Sequence, residues 1–306
     1  ILAGYAHLKA GMDYLSPLNH PALGRSLQSI IPAIFLNLDF DASVRPEEAR
    51  SSNFYPHALK FLYENRVGGD KLLFLCRLSN IMLAALIGVS VFIWSRELWG
   101  ENGGYLSLFL YCLSPDILAH SSLATTDMPI TAFFFISVYC LYRIVQHGFS
   151  FWRGLGAATA LSFALASKHT AMLLIPLFAA GFLVRLRKDR GKKTALGFLF
   201  VFFAAYLFIW AIYGFRYSSG AAYYEPLYWV RFSVSSFTPL FDLLRKIRFL
   251  PEAYLYGVAG VISGSSAGKP AFLMGDYSTT GWWSYFITGF LIKTPIPAII
   301  LLAASI

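Results

Sequence analysis

Long apolar runs alternate with short polar interruptions over most of this chain, and the run lengths set the first expectations. Leu72–Trp94 is apolar enough to cross a bilayer, since about 20 helical residues cover a hydrocarbon core of ~30 Å. Ser95–Gly104 reads as a short polar loop, Tyr105–His120 as a second span broken by Pro115, and Met128–Ile144 as a third. Gln146–Arg153 is a loop. Gly154–Ser167 is rich in Gly and Ala, the composition of a membrane helix that packs close to its neighbours. Thr170–Val184 and Leu196–Tyr213 follow, separated by Arg185–Lys193 (RLRKDRGKK), the densest positive cluster in the chain. A last span starts near Tyr285 and is interrupted by Lys293, Pro295 and Pro297.

The flanks are more polar. Ile1–Ala10 predicts a short helix turning at Gly11, and His20-Pro21 opens a helix with Leu23, Leu27, Ile30 and Ile31 at helical spacing. Asp39–Asn65 is charged and loop-like, with helical pieces. Beyond Tyr213, Leu240, Leu243, Leu244 and Ile247 alternate with Arg245, Lys246 and Arg248, the pattern of an amphipathic helix in the interface. Gly275–Trp283 ends in an aromatic pair suited to the headgroup layer. The expected organisation is an external loop with short helices over 1–71, a helix bundle over 72–213, a second external loop over 214–283, and the start of a further span over 284–306. Neither an internal repeat nor a signal peptide is visible. The chain begins at Ile1 and stops inside an apolar run, and reads as a fragment cut at both ends.

Composition narrows the class. The chain is 57% hydrophobic and only 13% charged, with mean hydropathy +0.57. Soluble domains run near ~25% charged, so the fold class is an all-α polytopic membrane protein. The net charge of +9 suits anionic headgroups or an anionic lipid-linked substrate. Nucleic acid is a poor partner, because the basic residues are scattered or sit in one short loop. Cys76, Cys112 and Cys140 fall in apolar runs and read as small hydrophobes, not as a disulfide framework or a metal site.

The positive cluster Arg185–Lys193 is cytoplasmic by the positive-inside rule. Alternation then places 1–71, Ser121–Asp127, Lys168-His169 and the segment after Tyr213 on the opposite face. Residues 245–248 put basic charge on that face too, which a long loop tolerates. Three polar clusters meet there: Asn19, His20 and Arg25; Asp116, His120 and Asp127; Lys168 and His169. Between Glu101 and Arg143 the only formal charges are Asp116 and Asp127, and ionisable groups at a membrane span are functional candidates. Asp127 precedes Met128-Pro129 and is expected to cap a membrane helix from the aqueous side. Simpler readings stand beside these. Asp127 can be only an N-cap, Lys168 a snorkelling lysine, His20 a turn residue, and His120 the partner of Asp116 four positions away. Cations beside a carboxylate at a membrane surface suit an anionic headgroup and an acid–base step.

Several strings resemble a known family. N-H-P-A-L-G-R resembles the E-H-P-P-L-x-K motif of the polyprenyl-phosphate-sugar-dependent glycosyltransferases of GT-C fold. These include bacterial relatives of protein O-mannosyltransferases and the aminoarabinose transferases of lipid A. H-x-x-L-x-T-T-D-M-P and A-F-L-M-G-D-Y-S-T-T-G-W-W-S-Y-F…L-I-K-T-P-I-P look like the bacterial mannosyltransferase-like branch. The resemblance implies a GT-C-like helical bundle that transfers a sugar from a polyprenyl or dolichyl phosphate to a hydroxyl of a protein, lipid or glycan. Transfer would invert the anomeric centre, on the external face of a bacterial plasma membrane. It implies a catalytic part for Asp127 and His20, donor-phosphate binding by Lys168 and Arg25, and substrate contacts from Asn19, His120, Asp116 and Tyr277. The family's Asp-Glu pair, whose Asp is the proposed base, precedes a segment like Ile1–Lys9 and is expected upstream of Ile1. Asn19 stands where the family usually has Glu, and Arg25 where it has Lys. In some relatives that Glu helps bind a metal; Asn is a poorer ligand, so no cofactor is predicted and a divalent metal is left open. Two rival readings are a transporter or flippase of a lipid-linked or anionic solute and an inactive scaffold. A transporter would place its charges near the midplane on broken helices in paired halves, which the sequence does not show.

Overall fold

The computed structural model of the protein describes residues 1–13, 15, 20–40, 54–189, 191–219, 229, 237–266 and 270–304. It is built almost wholly of helices. Helix α1 (Leu2–Ala10) ends at Gly11, whose φ of 63° is the left-handed turn a glycine supplies. Helix α2 (Ala22–Phe35) starts immediately after Pro21, and α3 (Phe54–Tyr63) precedes the bundle. The bundle comprises α4 (Gly69–Cys112), α5 (Pro115–Ser121), α6 (Asp127–His147), α7 (Phe151–Ser167), a 3-10 turn (His169–Leu173), α8 (Leu174–Asp189) and α9 (Lys192–Ile212). After it come α10 (Thr238–Lys246), α11 (Glu252–Ser266), the strands β1 (Ala271–Leu273) and β2 (Asp276–Ser278), and α12 (Tyr285–Lys293) with α13 (Ile296–Ala304).

Among the described residues, four helical stretches are long and apolar enough to cross a membrane: Gly69–Cys112, Asp127–His147, His169–Lys188 and Lys192–Ile212. The protein is an integral multi-pass membrane protein. The expected loop Ser95–Gly104 is helical except at Gly100, whose φ of 75° and ψ of −173° break α4 into two rods. Apolar residues and good helix formers on both sides keep the rest wound, so only the glycine gives way. The second span ends at Cys112, not at His120. Pro115 lacks the N–H an interior helical residue needs, so it opens the separate helix α5 as its first residue. The last span is a bent pair, α12 and α13 meeting at 111° around Thr294-Pro295.

Helix α7 lies at the centre, packed between α6 and α9. Its buried face is Gly154, Ala157, Ala158, Leu161, Ala164 and Leu165. Lipid gives helices no hydrophobic reason to associate, so close van der Waals fit must hold them. That fit is visible where a Cβ on Gly197 would meet the Phe149 ring at 2.4 Å, and one on Gly181 would meet Leu141 at 2.8 Å. The amphipathic helix expected after Tyr213 is α10, with Phe241 buried and Leu240, Leu243 and Ile247 exposed. Two features were not expected. Helix α11 buries Ala253, Tyr254, Leu255, Tyr256, Val258 and Ala259 in the core. The strands β1 and β2 pair antiparallel with Phe272 opposite Tyr277, through a two-residue turn whose Met274 and Gly275 both have positive φ.

Candidate active site at the rim of the bundle

The site is built by chain reversals. Asp127 is the first residue of α6, and Thr126 at the capping position makes no side-chain bond to the helix. The turn before it is held from α4: the Asn80 amide, fully buried, donates to the carbonyls of Leu123 (2.5 Å) and Thr125 (2.9 Å). Asp127 thus stands inside the first turn of α6, not at its capping position. On the neighbouring reversal, Lys168 is a single extended residue (φ −155°, ψ 140°) between α7 and the 3-10 turn. One extended residue between two helices sends Lys168 outward while His169 turns into the core.

Lys168 Nζ donates to Asp127 Oδ1 at 2.8 Å, and His120 Nδ1 lies 3.6 Å from Asp127 Oδ2. Each carboxylate oxygen thus faces a nitrogen from a different element. The second separation is an electrostatic neighbour, not a hydrogen bond. The expected His120–Asp116 pairing is not formed: the short helix α5 turns His120 towards Asp127, and Asp116 is exposed without an ion pair among the described residues. The side chains of Lys168 and Asp127 are about one-third exposed (30% and 38%), so the pair is wet.

His20 joins this group from the start of α2. A Cβ on Gly24 would come within 2.7 Å of the Ser167 carbonyl. Only glycine permits that approach, which sets the first turn of α2 against the end of α7. His20 titrates below its ordinary value, first because burial disfavours the imidazolium and then because Lys168 and Arg25 repel it, with Asp127 opposing. Those partners show that His20, Lys168, Arg25 and Asp127 share one electrostatic environment. Arg25 itself is buried, and its guanidinium donates to the backbone carbonyls of Leu15 and Pro21 (3.3 Å). Asn19 lies outside the described residues. Tyr277 sits on β2, largely exposed and packed against Phe272 at 5.0 Å; among the described residues no bond joins it to the cluster.

Sequence reasoning passed over three supports. Asn80 is a carboxamide inside an apolar span, the kind of residue that intramembrane cost singles out. Asp13, almost fully buried, accepts from His7 and from Arg216 (3.3 Å), and Arg216 also donates to the Gly11 carbonyl. His7 Nε2 donates to the Ile212 carbonyl at 3.1 Å. This clamp ties α1 to the end of α9. The Tyr213 hydroxyl, next to it, accepts the Ala22 N–H at 3.2 Å and so secures the start of α2 beside His20. Asp13 and Arg216 are far apart in sequence, and nothing in their local pattern signals the pairing.

The far ends of the helices carry different chemistry. Arg185, at the end of α8, donates to the Val145 carbonyl near the end of α6 at 3.3 Å. Arg143 of α6 pairs with Glu97 at 2.6 Å. Asp127 and Arg143 are 16 residues apart on α6, about 24 Å at 1.5 Å per residue. The Asp127–Lys168 group and the basic ends of α8 and α9 therefore occupy opposite ends of the bundle.

Compared with protein families, residues 65–219, just over half of the chain, match the dolichyl-phosphate-mannose-protein mannosyltransferase family. The chain belongs to this family. It is a membrane mannosyltransferase-like glycosyltransferase. The matched stretch contains Asp116, His120, Asp127 and Lys168, and leaves His20, Arg25 and Tyr277 outside it. Comparison with curated proteins and with solved structures gives no match. In this glycosyltransferase, no three His, Cys, Asp or Glu among the described residues group so as to hold a metal ion. The cluster instead offers a carboxylate, an ammonium and imidazoles at a wet rim. An ammonium has three donors; among the described residues one goes to Asp127, which leaves two.

Proposed function

We propose that the protein transfers a sugar from a polyprenyl or dolichyl phosphate to an acceptor hydroxyl on the non-cytoplasmic side of the membrane. The observation that carries this reading is the Lys168–Asp127 pair at the bundle rim; a largely apolar groove reaches α5, the helix that carries His120. The groove holds about 620 Å³ and runs along the two rods of α4, past Gly88, Phe92 and Tyr105, to Leu118 and Ser121 of α5. A polyisoprenoid tail fits such a channel, and its phosphate would then meet Lys168. Lys168, with Arg25 behind it, would stabilise the charge that grows on the departing phosphate. The acceptor oxygen forms its bond to the anomeric carbon as the carbon–oxygen bond to phosphate breaks, and the phosphate leaves with the electron pair. One direct displacement inverts the anomeric centre. Asp127, held by Lys168, orients the acceptor hydroxyl. The acceptor's proton goes to a carboxylate base of the kind the family resemblance implies. His20 donates to the sugar or the acceptor. The bacterial character of the motifs favours a plasma membrane with this rim facing the periplasm.

Lys168→Ala tests the phosphate role. A lost charged hydrogen bond costs about 1.5–3 kcal/mol, roughly 10–150-fold in affinity. Donor affinity, measured with polyprenyl-phosphate mannose in detergent, should fall by that factor while expression holds. Unchanged affinity would make Lys168 a snorkelling lysine. Against the transport reading, Cys placed at 127 or 168 should be labelled by an impermeant reagent from one side only; labelling from both sides would favour a transporter.

A further inference from the structure

His169 adjoins Lys168 but points away from water. It is 5% exposed, and among the described residues neither of its ring nitrogens has a hydrogen-bond partner. His20 Nδ1 is also buried without one. These three nitrogens belong to two elements, the start of α2 and the 3-10 turn after α7, which the Gly24–Ser167 contact brings together. The two imidazoles are close enough for the charge of one to act on the other. Tyr254 of α11 closes the far side, its ring edge-on to His169 at 5.6 Å between centroids.

Buried polar groups are nearly always partnered, and leaving both nitrogens of one ring bare is costly. The chemistry of the missing partner can be read from the ring. A neutral imidazole presents one N–H donor and one bare acceptor. An anion satisfies only the donor, and a cation only the acceptor. A hydroxyl satisfies either, and a polyol satisfies several at once. Burial, and after it the charges of Lys168 and Arg25, disfavour a charged imidazole at His20. We infer that His169 and His20 form a saccharide subsite that hydrogen-bonds hydroxyls of the donor sugar, with Tyr254 as its apolar wall. This inference rests on the glycosyl-transfer reading. It adds that the sugar is read next to its own phosphate, by the residue following the one that holds the phosphate.

The test compares binding of polyprenyl-phosphate mannose with binding of sugar-free polyprenyl phosphate, by the purified protein in nanodiscs. The wild type should prefer the mannosylated lipid by about tenfold or more, the scale of leaving a buried hydrogen-bonding group unpaired. His169→Phe should abolish the preference and leave affinity for the bare lipid within about twofold. A variant that keeps the wild-type preference overturns the subsite, and so does a wild type that binds both lipids equally. A wild type that binds neither lipid sinks the glycosyl-transfer reading instead. Should the Phe variant fail to fold, single-deoxy mannosyl donors tested on the wild type decide the same question. At least one should bind about tenfold more weakly, and equal binding across the series overturns the inference.

Discussion

At the scale of the residue, the centre of the site is an ion pair too wet to be a structural device. Pairs of this exposure contribute about 0–1 kcal/mol, far less than the packing of α7. Asp127 and Lys168 can therefore face a substrate without endangering the fold. His20 behaves differently. Its neutral form is favoured by burial and by the charges of Lys168 and Arg25, so it titrates below its ordinary value near 6.5. Below that pH the unfolded chain binds a proton that the folded chain refuses. The stability from keeping His20 neutral is complete above pH 6.5 and is lost as pH falls from there through its folded value. Thermal unfolding of the purified protein should show this loss, and His20→Gln should flatten part of it; a variant with the wild-type slope would remove His20 from the cluster. Asp127 and Lys168 were legible in the sequence because charges stand out in apolar surroundings. The partner of His120 was not. Spacing of four favoured Asp116, and only the turn held by Asn80 brings Asp127 within reach.

Among the elements, the decisive contact is the crossing of α2 on the end of α7. It depends on a missing side chain. Gly24→Ala would drive a methyl group to 2.7 Å from the Ser167 carbonyl, and a backbone atom cannot rotate away as a side chain can. Overpacking of this kind costs about 1–3 kcal/mol. The variant should unfold at lower temperature and lose transfer activity, because His20 moves away from Lys168. Gly68→Ala, with open space around its Cβ, should do neither. If Gly24→Ala matches wild type in both measurements, the crossing does not position the site. The apolar runs revealed most spans, since membrane crossing imposes a length on sequence. Gly100 and Pro115 set the boundaries through backbone chemistry that hydropathy does not weigh. Helix α11 stayed hidden because its Tyr, Gly and Ala residues resemble a loop at an interface, and its burial comes from contacts distant in the chain.

For the whole molecule, the arrangement is polar. The loop turns that bear Asp127, His120, Lys168, His20 and the Asp13–Arg216 clamp gather at one end, and the Arg143–Glu97 pair and the basic ends of α8 and α9 mark the other. Charge alternation along the sequence had already suggested that separation, because a helix bundle of successive spans sends every second loop to the same side. Which loops touch was out of reach of any pattern: that follows from the close fit of Gly24, Gly181 and Gly197 to their neighbours. If this end transfers a lipid-borne sugar, it does so with Asp127 in place. The decisive quantity is the rate at which membranes containing the protein pass radiolabelled mannose from polyprenyl-phosphate mannose to acceptor, for wild type and for Asp127→Asn. Normal expression and a fall of roughly a hundredfold or more are expected, the scale of losing one preorganised group at a reacting centre. Transfer at the wild-type rate by the variant would refute the role of this end in the reaction.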